Sequence, residues 1–126
     1  PRSTPKPSSA ASDVYKRQEL QQIRKSFQDL KIVLEHVSSD YGVDFVKTNN
    51  NIAGTITPHH MLLTKKDVFK DEVVNPHHYC MPVVKNENDL LSLRKAACFN
   101  NSKFFLGTDS APHHVACASL CPRGRR

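Results

Sequence analysis

The chain has 126 residues, with 18 Lys and Arg, 12 Asp and Glu, and a formal net charge of +6. This length allows at most one small domain. No apolar run reaches the roughly 18 residues of a membrane helix, and no basic stretch leads into a short apolar segment as in a secretory signal. The composition therefore predicts a cytoplasmic location, no membrane partner, and four cysteines that are reduced thiols.

The positive charge lies at the two ends of the sequence. In residues 1–18 four basic residues accompany Asp13 alone, and residues 123–126 contain three arginines. Residues 19–122 hold equal numbers of basic and acidic side chains. A neutral body predicts no nucleic-acid partner, because such a partner requires a basic face. A small basic nucleic-acid-binding module stays open as an alternative, as does a small His/Cys metal-binding module.

The first thirty residues divide into two segments. Residues 1–18 are rich in Pro, Ser and Ala without periodicity, which predicts disorder. Their SSAASDVYKRQ stretch resembles a read-through segment that is often seen at the start of reading frames called from sequencing assemblies. We therefore expect residues 1–18 to be a leader that is not native to the protein. Residues 19–30 are predicted to form a helix, because apolar residues recur there at spacings of three and four.

Short apolar runs and helical segments alternate along the rest of the sequence. Pro82 weakens the third of four predicted strands, because proline cannot donate to a strand ladder. The alternation predicts an α/β fold with a parallel sheet. The predicted strands are 31–36, 53–58, 79–84 and 104–109, the predicted helices are 38–47 (capped by Ser38 or Ser39) and 86–99, and residues 65–71 are expected to form a loop or short helix.

Two predicted strands end in side chains that can bind a metal ion. His36 closes the first strand and Asp109 closes the last. The carboxyl ends of parallel strands form the functional face of (β/α) barrels, and imidazole and carboxylate both bind zinc-like cations. The alternatives are a histidine bonded to a nearby carbonyl, a turn or helix-capping aspartate and, for His113, a surface loop histidine. No sequence motif pairs Cys80 or Cys98 with another residue, so both are expected to be core thiols.

Four segments together resemble one enzyme family. They are LEHVSS at 34–39, GTITPHHMLL at 54–63, NPHHYCMPVVK at 75–85 and FFLGTDSAPH at 104–113. This order resembles the C-terminal half of the monofunctional bacterial dihydroorotases. The resemblance covers about residues 19–113, and PHxYCxPxxK and FLGTDSAPH are its most specific motifs.

The resemblance implies a fold and a reaction. Residues 19–113 would be the C-terminal part of an amidohydrolase barrel, roughly the last three strands of a (β/α)8 TIM barrel, followed by a divergent and non-native tail at 114–126. Family members interconvert N-carbamoyl-L-aspartate and L-dihydroorotate in pyrimidine biosynthesis. Their site holds two zinc ions bridged by a carboxylated lysine, and no lysine in this sequence has the corresponding family context.

The resemblance implies metal-binding, catalytic or substrate-binding roles for four residues. His36 would bind one zinc, and Asp109 would bind the other and carry the catalytic proton. Met81, often Leu in the family, would contact substrate through its backbone, and His113 would hold the substrate carboxylate. His60 and His77 match family histidines with supporting roles. With one ligand per zinc, the isolated chain is expected to be inactive and not to fold stably, and a homodimer of the full-length enzyme stays open.

Overall fold

A computed structural model describes residues 9–70, 73–99 and 101–110, with side chains from Gln18 onward. The chain divides into two compact units between Lys31 and Ile32. Among the helices of the described ranges, none combines the length and the apolarity needed to cross a bilayer.

The first unit contains helix α1, Ser9–Ser26. The helix begins ten residues earlier than predicted, so the expected disorder of 1–18 is wrong for residues 9–18. That segment includes alanines and long polar residues of high helix propensity and no proline. The helix ends at Ser26, where the Arg24 guanidinium donates to the backbone carbonyls of Gln28 and Leu30 beyond the last turn.

The second unit is built on a three-stranded parallel sheet. The strand order is β1 (Ile32–Leu34), β2 (Ile52–Ile56), β5 (Phe104–Leu106), so β2 is central and pairs with both of the others. A short antiparallel pair, β3-β4, forms a separate two-stranded sheet. The elements are β1 Ile32–Leu34, α2 Asp40–Thr48, β2 Ile52–Ile56, α3 Pro58–Leu62, α4 Lys65–Val68, β3 Phe69–Lys70, β4 Val73–Val74, α5 Glu87–Cys98 and β5 Phe104–Leu106.

Most predicted elements of this unit are confirmed. Strands overlap three of the four predicted runs, both predicted helices form, and the short-helix alternative at 65–71 is correct. Ser39 is the N-cap of α2, with its Oγ accepting from the Gly42 N–H. The predicted strand at 79–84 is wrong. Pro82 offers no N–H to a ladder, and the β3-β4 pair that forms just before this segment was not predicted.

The core lies between one face of the sheet and the helices α2 and α5. Gly54 on the central strand allows this close packing, because a Cβ at this position would lie 3.0–3.2 Å from side-chain atoms of Val37, Phe104 and Val46. The buried apolar residues of the unit are Val37, Val43, Phe45, Val46, Ile52, Ile56, Val68, Val84, Leu90, Leu93 and Ala96.

Lys103 links the end of α2 to the last strand. Its Nζ donates to the backbone carbonyls of Val46, Lys47 and Asn49 at 3.2, 3.0 and 2.8 Å. An ammonium group at a helix C-terminus satisfies carbonyls that have no partner within the helix and interacts favourably with the helix dipole. The contact fixes the start of β5 against α2 and so helps to align the parallel strands.

The opposite face of the sheet is partly open. Val33 pairs with Ala53, and Phe105 pairs with Thr55, so the strand registers place these four residues on one face. Val33 and Phe105 are exposed apolar side chains. This face carries the side chains that would point into a closed barrel.

Replacing Leu93 with alanine tests the core. Leu93 is 1% exposed, whereas Leu91 on the same helix is 44% exposed. We expect Leu93→Ala to lower the free energy of unfolding by about 2–5 kcal/mol, because it removes buried methyl groups and leaves a cavity. Leu91→Ala is the matched control and should cost below about 1 kcal/mol. Urea unfolding followed by circular dichroism measures both, and equal losses would contradict the packing.

Candidate functional site

The carboxyl ends of the three parallel strands lie at one edge of the sheet. His36 follows β1, His59 follows β2 at the start of α3, and Asp109 follows β5. Because β1 and β5 flank the central β2, residues after the two outer strands can meet across its end. This edge therefore brings together side chains that are distant in sequence.

His36 and Asp109 form the closest charged or titratable pair at this edge. His36 Nε2 lies 3.7 Å from Asp109 Oδ1, and both side chains are 28% exposed. Among the described residues, His36 Nδ1 is buried and has no hydrogen-bond partner. This ring nitrogen therefore makes no bond to a neighbouring carbonyl of the described segments.

Both members of the pair have left-handed backbone conformations. The φ angle is 53° at His36 and 49° at Asp109. Residues with a Cβ seldom adopt this region, which costs on the order of 1 kcal/mol or more and persists only where surrounding contacts impose it. The left-handed turn directs each chain out of its strand at the point where the side chains meet.

The surrounding contacts converge on the end of the central strand. The His36 N–H donates to Thr55 Oγ1 at 2.7 Å, and the Val37 N–H donates to the Thr55 carbonyl at 2.9 Å. The Thr55 hydroxyl in turn donates to Glu35 Oε2 at 2.8 Å. On the other side, the Gly107 N–H donates to the Ile56 carbonyl at 3.0 Å. The central strand thus anchors the segments that lead to both side chains.

His59 lies beside the pair. Its Nε2 is buried and has no hydrogen-bond partner among the described residues. Its pKa is lowered, chiefly because burial disfavours the imidazolium, with the nearby Asp109 carboxylate opposing the shift and His36 adding to it. His59 and the adjacent His60 both lie in α3. The proline directly after a strand was the signal that a helix begins at this edge.

His60 is turned to the interior and is held on both ring nitrogens. Its Nε2 lies 2.9 Å from the Pro82 carbonyl, which can only accept, so Nε2 carries the proton. Nδ1 then accepts from the Thr57 hydroxyl. Burial lowers the pKa of His60 to about 4, despite the opposing Pro82 hydrogen bond. His60 is therefore neutral near pH 7 and connects the end of β2 to the segment around Pro82.

The other predicted site residues differ in their solvent exposure and in whether the structure describes them. Met81 and His77 are exposed, and His113 lies outside the described residues. The expectation of core thiols is wrong, because Cys80 and Cys98 are both exposed. Hydrophobic flanking residues do not bury a thiol in a loop or on the outer face of a helix. Cys80 Sγ lies 4.0 Å from Asp109 Oδ2, at the edge of the candidate site.

The fit to a metal ion can be judged from the pair. One imidazole with an unpartnered buried nitrogen and one carboxylate are ligands that zinc accepts. Within the described ranges, no group of three or more His, Cys, Asp or Glu side chains is arranged to hold a metal ion. The pair therefore offers two side chains that zinc accepts, fewer than a complete zinc site needs.

Comparison with known proteins gives one family repeatedly. The chain is 50% identical over 91 residues to a dihydroorotase of Synechocystis sp., covering 72% of this chain and 26% of the relative. It is 44% identical over 101 residues to a dihydroorotase of Coxiella burnetii, covering 79% and 29%. No protein-family model matches.

Solved structures give the same family. The dihydroorotase of Campylobacter jejuni matches with a TM-score of 0.74 and 36% identity, covering 85% of this chain and 31% of that chain. The dihydroorotase of Saccharomyces cerevisiae in complex with 5-fluoroorotic acid matches with a TM-score of 0.78 and 30% identity, covering 98% and 36%.

The chain is homologous to a part of the dihydroorotases. It spans about a quarter to a third of the length of the relatives that it matches. The resemblance of the four sequence motifs to this family is confirmed, and the two small-module alternatives are not favoured. The parallel α/β architecture agrees with the dihydroorotase structures.

The low pKa of His60 predicts that the folded chain loses stability in acid. Its pKa of about 4 in the folded chain lies below the ordinary histidine value of 6.5, so the unfolded chain takes up the proton first as pH falls. The free energy of unfolding should drop between pH 6.5 and pH 4, with a contribution of up to about 3 kcal/mol from His60. Urea unfolding across this range measures the slope.

His60→Gln should flatten this slope, because glutamine does not titrate. His77→Gln is the matched control, since His77 is exposed, and it should leave the slope as in the unsubstituted chain. Equal slopes for His60→Gln and the unsubstituted chain would contradict a buried neutral imidazole.

Proposed function

We propose that this chain contributes part of a dihydroorotase active site, in which His36 and Asp109 each bind one of two zinc ions. The supporting observation is their approach to 3.7 Å at the carboxyl end of a parallel sheet, in left-handed turns that follow the two outer strands. The homology to dihydroorotases at up to 50% identity gives this pair its chemical context. The proposed substrates are N-carbamoyl-L-aspartate and L-dihydroorotate.

The proposed barrel extends the sheet on both sides. Within the described residues β1 and β5 are edge strands, and one sheet face carries exposed apolar side chains. Unpaired strand edges and an open apolar face are costly in water. In the full-length enzyme, the further strands of a (β/α)8 barrel would pair with these edges, and the open face would line the barrel interior.

Zinc ions held in part by His36 and Asp109 would supply a water of lowered pKa and polarisation of the amide carbonyl. In the hydrolytic direction, the Asp109 carboxylate accepts a proton from the attacking water and returns it to the ring nitrogen as the amide bond breaks. Cyclisation follows the same proton path in reverse. Asp109 suits this task because the side chain is partly exposed and His36 is its nearest titratable neighbour at 3.7 Å.

Residues around the pair have supporting roles in the proposal. The Met81 backbone contacts the substrate, and His113 pairs with a substrate carboxylate as a hydrogen-bond donor. His60 holds the Pro82 carbonyl and so positions the segment that contains Met81. The remaining zinc ligands, including the carboxylated lysine, would come from the part of the enzyme that this chain does not match.

The function is tested in a grafted enzyme, defined as the Synechocystis dihydroorotase with its matching region replaced by that of this chain. We expect His36→Ala and Asp109→Asn each to lower bound zinc and to reduce kcat by about 100-fold or more, because each removes a metal ligand. Zinc content by mass spectrometry and the rate of dihydroorotate hydrolysis measure these effects.

Asp44→Asn is the charge-matched control, because Asp44 is exposed on the helix α2, outside the segments after the strands that carry the pair. It should leave zinc content and kcat within about twofold of the grafted enzyme. Full zinc content and full activity in His36→Ala and Asp109→Asn would overturn the assignment of this pair.

The isolated 126-residue chain is expected to be inactive. It supplies one proposed ligand to each zinc, and the described residues form no complete metal site. A single carboxylate or imidazole holds a cation weakly in water, so hydroxide is not generated near neutral pH. The measurement is turnover of N-carbamoyl-L-aspartate by the purified chain with added Zn²⁺. Activity comparable to that of the Synechocystis enzyme would contradict the proposal.

A further inference from the structure

Thr55 touches both segments that carry the candidate ligands. It lies on the central strand, is 3% exposed, and pairs in register with Phe105 of β5. Its hydroxyl and its carbonyl accept hydrogen bonds from consecutive backbone N–H groups, those of His36 and Val37, at 2.7 and 2.9 Å. Its side chain also faces Gly107, two residues before Asp109.

On the His36 side, Thr55 fixes an unfavourable backbone conformation. With a φ of 53°, His36 stays in the left-handed region only if its surroundings compensate for the strain. The two hydrogen bonds to Thr55 hold the N–H groups at and just after the turn. Without the hydroxyl, the His36 N–H at this partly buried position loses the acceptor that it has in the folded chain.

Glu35 makes the Thr55 hydroxyl a directed acceptor. A hydroxyl has one proton, and Thr55 donates it to Glu35 Oε2 at 2.8 Å. The oxygen lone pairs are then left for the His36 N–H. A valine would fill nearly the same volume but could neither accept from His36 nor donate to Glu35.

On the Asp109 side, Thr55 acts through close packing. A Cβ placed on Gly107 would lie 2.8 Å from Thr55 Cβ and 3.2 Å from Thr55 Oγ1, which is too close for any other residue without movement. The Gly107 N–H also donates to the Ile56 carbonyl, next to Thr55. The position of Thr55 therefore sets where the chain leaves β5 toward the left-handed turn at Asp109.

We propose that Thr55 is the positioning residue that sets the separation between His36 and Asp109, by a hydrogen bond to one segment and by van der Waals contact with the other. The proposal rests on the proposed function, in which the two side chains bind neighbouring zinc ions. Thr55 touches neither substrate nor metal in this role. It acts through the backbone of the two ligands.

The first test measures the hydrogen bond between the His36 N–H and the Thr55 hydroxyl. Amide hydrogen exchange is measured by mass spectrometry in the grafted enzyme, where the proposed barrel pairs the strand edges. Thr55→Val should speed exchange at the His36 amide by about tenfold or more, because it removes the acceptor. Thr55→Ser keeps the hydroxyl and should stay within about threefold of the parent.

Thr57→Val is the matched control for the same change on the same segment. Thr57 is fully buried, but its hydroxyl bonds to His60 rather than to His36. This variant should leave exchange at the His36 amide as in the parent. A similar acceleration in Thr57→Val would show a general loosening of the strand and would overturn a specific role for the Thr55 hydroxyl.

The second test reads the consequence for the reaction in the grafted enzyme. Thr55→Val should lower kcat by about tenfold to 100-fold, as for loss of a group that orients metal ligands, with KM within about threefold. Thr55→Ser should restore most of the loss. Equal kcat values for Thr55→Val and the parent, or equal losses for the valine and serine variants, would overturn the proposal.

The two tests separate the inference from the function on which it rests. If His36→Ala keeps full zinc content, the proposed metal role of His36 fails, whatever Thr55 does. If His36→Ala loses zinc but Thr55→Val keeps normal exchange and normal kcat, the metal role stands and the positioning role of Thr55 is wrong.

Discussion

The parallel pairing of two short strands on either side of β2 determines the geometry of the candidate site. Parallel strands end at the same edge of a sheet, so the segments after β1 and β5 leave at the same level. The central strand between them provides the carbonyls of Thr55 and Ile56 and the Thr55 hydroxyl as fixed acceptors. His36 and Asp109 meet only because both chain exits are anchored to this one strand.

The same edge separates two histidines that are adjacent in sequence. His60 is buried, with a proton on Nε2 for the Pro82 carbonyl and a lone pair on Nδ1 for the Thr57 hydroxyl. Within the part of the chain that the structure describes, His59 has a buried Nε2 without a partner, near Asp109 and His36. The second histidine, in contrast, uses both ring nitrogens in hydrogen bonds in the interior. The start of a helix at the strand end produces this division of roles.

The proposed barrel relates the open sheet face to the candidate site. The chain spans about a quarter to a third of the length of the dihydroorotases that it matches, and the described sheet has three parallel strands. Val33 and Phe105 are exposed on the face that also carries Thr55, and the pair supplies two proposed ligands, whereas a catalytic zinc ion takes three from the protein. In the proposal, further strands of the barrel would supply both the apolar contacts and the remaining ligands.

The sequence by itself determined the local elements and the family. Apolar residues at helical spacing predict α5, short apolar runs predict β1, β2 and β5, and the four motifs predict homology to dihydroorotases. Local patterns failed for the β3-β4 pair and for the exposure of Cys80 and Cys98, because tertiary contacts decide both. The early start of α1 was missed although residues 9–18 have high helix propensity. Tertiary structure alone decided that His36 lies 3.7 Å from Asp109 and that Thr55 touches both segments. Strand order and register create these contacts, and neither is encoded in any short window, because they depend on which distant segments share backbone hydrogen bonds.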